Sequence, residues 1–78
     1  MLIHNDDVTT MDFVVDVLQL YFDLPIDKAQ QVMLETHYNG ISVVGVYPRD
    51  DAQRRIDAAH EHARAVGFPL KFTIEPEG

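Results

Sequence analysis

Leu2-Ile3-His4-Asn5-Asp6-Asp7-Val8-Thr9-Thr10-Met11 is the stretch whose reading decides the fold. The short apolar run Leu2-Ile3-His4 predicts a strand. It stops at Asn5-Asp6-Asp7, residues that favour turns because their side chains bond to nearby backbone. Thr9, Thr10 and Asp12 then read as a helix start: a threonine hydroxyl caps free N–H groups, and an acid in the first turn complements the helix dipole. Thr9-x-x-Asp12 is an approximate capping box, with Asp shorter than the usual Glu.

Outward from this unit, a first helix is predicted from about Thr10 to Phe22, with Met11, Val14, Val15, Leu18 and Phe22 in one apolar stripe. Leu24-Pro25 breaks it, and Pro25 opens a second helix to about Tyr38. Ile26, Ala29, Val32, Met33 and Thr36 form the inner face of that helix, and Asn39-Gly40 is a left-handed stop. Ile41 to Tyr47 is rich in β-branched residues and predicts a strand. Pro48-Arg49-Asp50-Asp51 starts a third helix, with a stripe of Ala52, Ile56, Ala59, Ala63 and Val66, and Gly67 ends it. Leu70, Phe72 and Ile74 alternate with Lys71, Thr73 and Glu75 as a half-buried strand, closed by Pro76-Glu77-Gly78. The expected fold is α+β, in the order β-α-α-β-α-β, with three helices packed on a small three-stranded sheet. A single domain spans 1–78. The order of strands within the sheet is not readable from the pattern.

Six Lys and Arg against thirteen Asp and Glu leave a net charge of −7. Such a surface argues against nucleic acid and against anionic membranes, which both need basic patches. The chain has no cysteine, hence no disulfide, thiolate nucleophile or thiolate metal ligand, and this fits a reducing cytoplasm. No apolar run approaches the ~20 residues of a membrane span. The N-terminal residues lack the basic and apolar regions of a signal peptide. A core of this size supplies roughly 3–5 kcal/mol, which leaves little to hold a strained catalytic constellation. A binding module is therefore expected rather than an enzyme. The only serine, Ser42, lies in a predicted strand, and no nucleophile elbow, metalloprotease helix or phosphate loop is present.

The chemistry-bearing segment is the opening loop. Asn5, Asp6, Asp7, Thr9 and Thr10 are followed by Asp12 and Asp16 with no base between them. The cluster is acceptor-rich and negative, suited to a metal ion or an ammonium group. The same residues would also serve a plain turn and helix cap. Met33 and His37 lie four apart on one helix face with Thr36 beside them; a histidine there also suits the helix C-terminus. His60-x-His62 is a poor metal pair, since residues two apart on a helix point about 200° apart, and both are expected at the surface. Nothing constrains His4.

The run His4-Asn5-Asp6-Asp7-x-Thr9-x-Met11-x-Phe13-Val14 resembles the signature of the ClpS family, bacterial adaptors that deliver N-degron substrates to the ClpAP protease. The resemblance continues in Val32-Met33-Leu34-x-x-His37, Gly45-Val46-Tyr47 and Gly67-Phe68-Pro69-Leu70, in order and with matching spacing. It implies an adaptor, not an enzyme, that binds a free N-terminal Leu, Phe, Tyr or Trp and hands the protein to a ClpA-type AAA+ unfoldase. No cofactor or metal is implied, and a monomer is expected. By matching position, Asn5, Asp6, Asp7 and His37 would hold the α-amino group, one carboxylate through water, and Thr9 would order the loop and bond the first peptide unit. Met11, Val14, Met33, Thr36 and Leu70 would line the apolar pocket, with Met11 as a gate against Ile and Val. Asp50, Gln53 and Arg55 would face the unfoldase. Thr36 stands where relatives are commonly aliphatic, Thr10 replaces a proline and Val8 an aromatic residue. Relatives also carry a disordered N-terminal arm used in delivery. The arm is expected either to have been removed here or to be lacking, and in the second case delivery would change while binding survives.

Elementary chemistry fits this assignment. An α-amine titrates near pH 7.7–8.0, so at neutral pH it is mostly a cation with three donors and needs acceptors in a negative field. Two methionines give an adaptable lining for side chains as different as Leu and Trp. Protonation of His37 would repel the amine, so binding should weaken in acid. Two other readings remain: a small interaction domain docking on a protease or ribosomal partner without amine recognition, and a metal-binding domain using Asp6, Asp7, His37 and His4.

Overall fold

Six elements form along residues 1–75, which are those described by the computed structural model: β1 (Leu2–His4), α1 (Met11–Phe22), α2 (Ile26–Asn39), β2 (Ile41–Val43), α3 (Arg49–Ala65) and β3 (Lys71–Thr73). The expected β-α-α-β-α-β order is observed. Pro76-Glu77-Gly78, the expected stop of the last strand, lies outside the described residues. The strands form one antiparallel sheet in the order β2-β1-β3, with Ile3 facing Ser42 on one side and Phe72 on the other. Because side chains alternate across a strand, this register turns Ile3 and Phe72 to the same face. Both are buried there with Val17, Leu18, Phe22, Val32 and Leu70. The α1 helix packs against both α2 and α3, and α3 also touches β3.

The chain enters and leaves α1 by different means. Thr10 is the N-cap, and its Oγ1 accepts from the Phe13 N–H at 3.2 Å. The cap is one residue later than the Thr9-x-x-Asp12 box would place it, because Thr9 is engaged by Asp6. At the other end Asp23 takes a left-handed conformation (φ 55°), a tolerable role for Asp. The α2 helix stops at Gly40 in the left-handed region (φ 84°), as the Asn39-Gly40 signal predicts.

Several expectations are corrected. The second strand ends at Val43 rather than Tyr47. Only Leu2–His4 pair with it, and the last ladder bonds run from the Val44 N–H to the Met1 carbonyl and from the Met1 ammonium to the Gly45 carbonyl. On α1 the buried residues are Val14, Val17, Leu18 and Phe22, whereas Met11 is 43% exposed. Val17 was not in the expected stripe; it is buried because α1 meets two neighbours and so hides more than one row. Ile26 is exposed at the first turn of α2. Val66 is exposed because α3 ends at Ala65, where the backbone leaves the helical phase that aligned the stripe.

His60 and His62 also depart from the surface positions expected of them. They do diverge, as residues two apart must, but α3 is covered on both sides. His60 Nε2 accepts from the Phe72 N–H at 3.0 Å, on β3. His62 Nδ1 lies 2.9 Å from the Tyr21 hydroxyl, edge-on to the Phe13 and Tyr21 rings of α1. Burial holds the His60 pKa below its ordinary value, with Arg64 and Lys71 pulling the same way and Asp57 opposing. His4 Nε2 bonds to Thr73 Oγ1 at 2.7 Å across the sheet. Among the described residues no cluster of His, Asp and Glu could hold a metal ion, and no helix is long and apolar enough to cross a membrane.

Candidate functional site: a cavity between the opening loop and the second helix

The loop from Asn5 to Thr10 is shaped by one carboxylate. Asp6 Oδ1 accepts from the Val8 N–H at 2.9 Å and the Thr9 N–H at 2.7 Å, and its Oδ2 accepts from the Thr9 hydroxyl at 2.7 Å. This side chain closes the turn on itself, which is why the Asp-x-x-Thr spacing matters. Burial pushes the Asp6 pKa up, but the bonds from Thr9 and Val8 outweigh it and hold the carboxyl below its usual range.

A single backbone bond fastens the loop to α2. The Asn5 N–H donates to the Gly40 carbonyl at 2.9 Å, and the Gly40 N–H donates to the Thr36 carbonyl at 2.9 Å. The helix end that carries Thr36 and His37 is thereby held beside the loop that carries Asn5 and Asp7. Chain segments about thirty residues apart in sequence meet at one site.

Between them lies a cavity of about 410 Å³, lined by Asn5, Asp6, Asp7, Val8, Thr9, Thr10, Met11, Val14, Met33, Thr36 and His37. That volume is within the ordinary range for a small-ligand site. The lining is segregated. Asn5, Asp7 and His37 are exposed at the mouth, and among the described residues their side chains make no hydrogen bond or ion pair within the protein. Val14 and Thr36 are buried within, with Met11 and Met33 partly exposed between. Asp12 and Asp16, both exposed on α1, add to the negative field nearby. Acceptors at the mouth and apolar surface inside suit a ligand with a cationic head and an apolar body.

Nine of the residues expected at the site by resemblance line this one cavity. Leu70 does not. It is 1% exposed and packs in the core, against the inner face of the sheet. Val8 and Thr10 line the cavity without having been expected to; their place inside an otherwise lining run was the available signal.

The stretch expected to face an unfoldase is divided by its contacts. Asp50 and Gln53 are exposed on α3, Gln53 donating to Asp57 at 2.8 Å. Arg55 turns inward. Its Nε donates to Asp51 at 2.9 Å, its Nη1 donates to the Tyr21 carbonyl at 2.9 Å and to Asp23 at 3.2 Å, and its guanidinium lies over the Tyr47 ring at 4.9 Å. These bonds raise the already high Arg55 pKa, chiefly through Asp51. A second cleft of about 410 Å³ lies here, lined by Met1, Leu2, Val43, Val46, Tyr47 and neighbours. Its charged side chains are one Arg49 and one Glu75, so it lacks the convergent acceptors of the first.

The family model described as ATP-dependent Clp protease adaptor protein ClpS matches residues 1–73. The chain is 48% identical to the ClpS adapter protein of Desulfatibacillum aliphaticivorans over 99% of its own length and 74% of that protein's. It is 43% identical to the ClpS adapter protein of Lawsonia intracellularis over 96% of its length and 69% of that protein's. Among solved structures it is similar to Agrobacterium tumefaciens ClpS2 bound to L-phenylalaninamide, with a TM-score of 0.91 and 39% identity over 97% of this chain and 92% of that one. The shared sequence spans both walls of the cavity and all six elements, and the chain belongs to the ClpS family of Clp protease adaptors.

Proposed function

We propose that this chain captures proteins by a free N-terminal Leu, Phe, Tyr or Trp and delivers them to a ClpA-type AAA+ unfoldase in the bacterial cytoplasm. The observation that carries the reading is the segregated cavity, with unpartnered acceptors at its mouth and apolar surface within. The ligand named for the similar solved structure, L-phenylalaninamide, has the same two parts: a primary amine and an apolar ring.

The α-ammonium donates to Asn5, Asp7 and His37 at the mouth. Asp6 contributes negative charge and loop shape, since both its oxygens already accept bonds from Val8 and Thr9. Thr9 is the loop's second anchor. The side chain enters past Met11, which stands half-exposed at the entrance, toward Val14, Met33 and Thr36. Burying one such side chain contributes roughly 1.5–3 kcal/mol. Each charge-assisted hydrogen bond adds about 1.5–3 kcal/mol before ordering costs, which points to affinity on the order of micromolar. Asp50 and Gln53 present the exposed face for the unfoldase, while Arg55 supports it from behind.

Fluorescence anisotropy with peptides beginning in Leu or Phe, free or N-acetylated, tests the reading. The free peptides should bind and the acetylated ones should not. Equal binding of the two forms would instead favour a docking domain without amine recognition.

A further inference from the structure

Of the four residues on the apolar side of the cavity, Met11 at the entrance and Met33, Val14 and Thr36 behind it, only Thr36 carries a side-chain oxygen. It is 3% exposed, so water has little access to it. Its hydroxyl donates to the Val32 carbonyl, one turn back on α2, at 2.8 Å. A hydroxyl has one hydrogen and two lone pairs. With the hydrogen held by Val32, Oγ1 can act toward a ligand only as an acceptor. Among the described residues its only hydrogen bond is the one it donates.

We infer that Thr36 is a specificity-determining residue whose hydroxyl oxygen makes the pocket favour an N-terminal side chain with a ring donor, Tyr or Trp, over Phe and Leu. The inference rests on the reading of this cavity as the N-terminal-residue site and answers which member of that set it prefers. A phenol O–H or an indole N–H can donate to the unused lone pairs of this buried oxygen. A phenyl ring or an isobutyl group has no such donor, so Oγ1 keeps only its bond to Val32 and the ligand gains no hydrogen bond there. One neutral hydrogen bond of this kind corresponds to a preference of roughly two- to tenfold.

Two matched peptide pairs isolate the hydroxyl. One pair begins with Tyr or Phe, the other with Trp or benzothienylalanine, which keeps the bicyclic shape without the N–H. Affinities are measured for the unaltered protein, for Thr36→Val, which exchanges the hydroxyl for a methyl, and for Thr36→Ser, which keeps the hydroxyl. The unaltered protein and Thr36→Ser should bind at least one donor-bearing peptide roughly two- to tenfold more tightly than its partner. Thr36→Val should bring that ratio to about one. A ratio of one in the unaltered protein, or a ratio that Thr36→Val leaves unchanged, overturns the inference while leaving amine capture intact. Failure of all four peptides to bind the unaltered protein overturns both. Because only ratios within one protein are read, a general loss of affinity in a variant does not affect the comparison.

Discussion

The two ends of α1 satisfy their polar groups in opposite ways. At the N-terminal end the bonds are local: Asp6 to Val8 and Thr9, Thr10 to Phe13. At the C-terminal end they are distant. Tyr47 donates to the Phe22 carbonyl at 3.0 Å, and Arg55 donates to the Tyr21 carbonyl and to Asp23. The local solution closes a turn with few side chains and leaves Asn5, Asp7 and His37 facing outward. The distant solution ties the Arg55 guanidinium and the Tyr47 hydroxyl to partners already in the protein, and burial raises the Tyr47 pKa. One end leaves exposed acceptors open beside the cavity, and the other holds α1, α3 and the Gly45–Tyr47 segment together. A cluster of charged residues is thus not in itself a site. What distinguishes the two is whether the charges are already answered.

The largest expected effect comes from breaking the local end. Asp6→Ala removes the acceptor of three hydrogen bonds and one negative charge. It should weaken binding of a Phe-initiated peptide by on the order of a hundredfold, with a much smaller change in melting temperature. Peptide titration and thermal denaturation of the same sample check this. A comparable loss in both would mean that the loop is part of the fold rather than a platform on it. Breaking the distant end should do the reverse. Arg55→Met leaves the Tyr21 carbonyl and Asp23 without their donor and should lower the melting temperature by about 5 °C, with peptide affinity little changed in the cold.

The smallest effect concerns pH. Burial lowers the folded-state pKa of His60, so between that value and the ordinary value near 6.5 the unfolded chain binds more protons. The stabilisation is complete above about pH 6.5 and is lost as pH falls toward the folded value, because the protonated ring cannot accept the Phe72 N–H. Asp6 is also depressed, but from 3.8, so its contribution is kept until the pH falls below that value. Melting temperature should therefore fall modestly from pH 7.5 to 5, and less so in His60→Gln, while the loop stays closed. Identical pH slopes for the two proteins would remove His60 from this role.

What was legible in the sequence follows the same division. Element order, the Gly40 stop and the loop were readable because their causes lie within a few residues, as with Asp6 and Thr9. The meeting of the loop with Thr36 and His37 depends on the Asn5–Gly40 bond, which local pattern does not announce; family resemblance supplied it. Leu70 does not line that cavity; an alternating strand pattern marks it as inward without telling core from cavity. The Tyr47–Arg55 cluster and the roles of His60 and His62 were not legible. Their partners lie 12 to 41 residues away and are chosen by helix packing and strand order, which no single stretch encodes.

The most direct measurement of the central claim is a chemical-shift titration of the isotope-labelled protein with a Phe-initiated peptide, free and N-acetylated. The free peptide should shift the amides of Asn5 to Val14 and Met33 to His37, leave those around Tyr47 and Arg55 in place, and the acetylated peptide should shift neither. Equal shifts with the two peptides, or shifts centred on the cleft beside Val46 and Tyr47, would contradict the account.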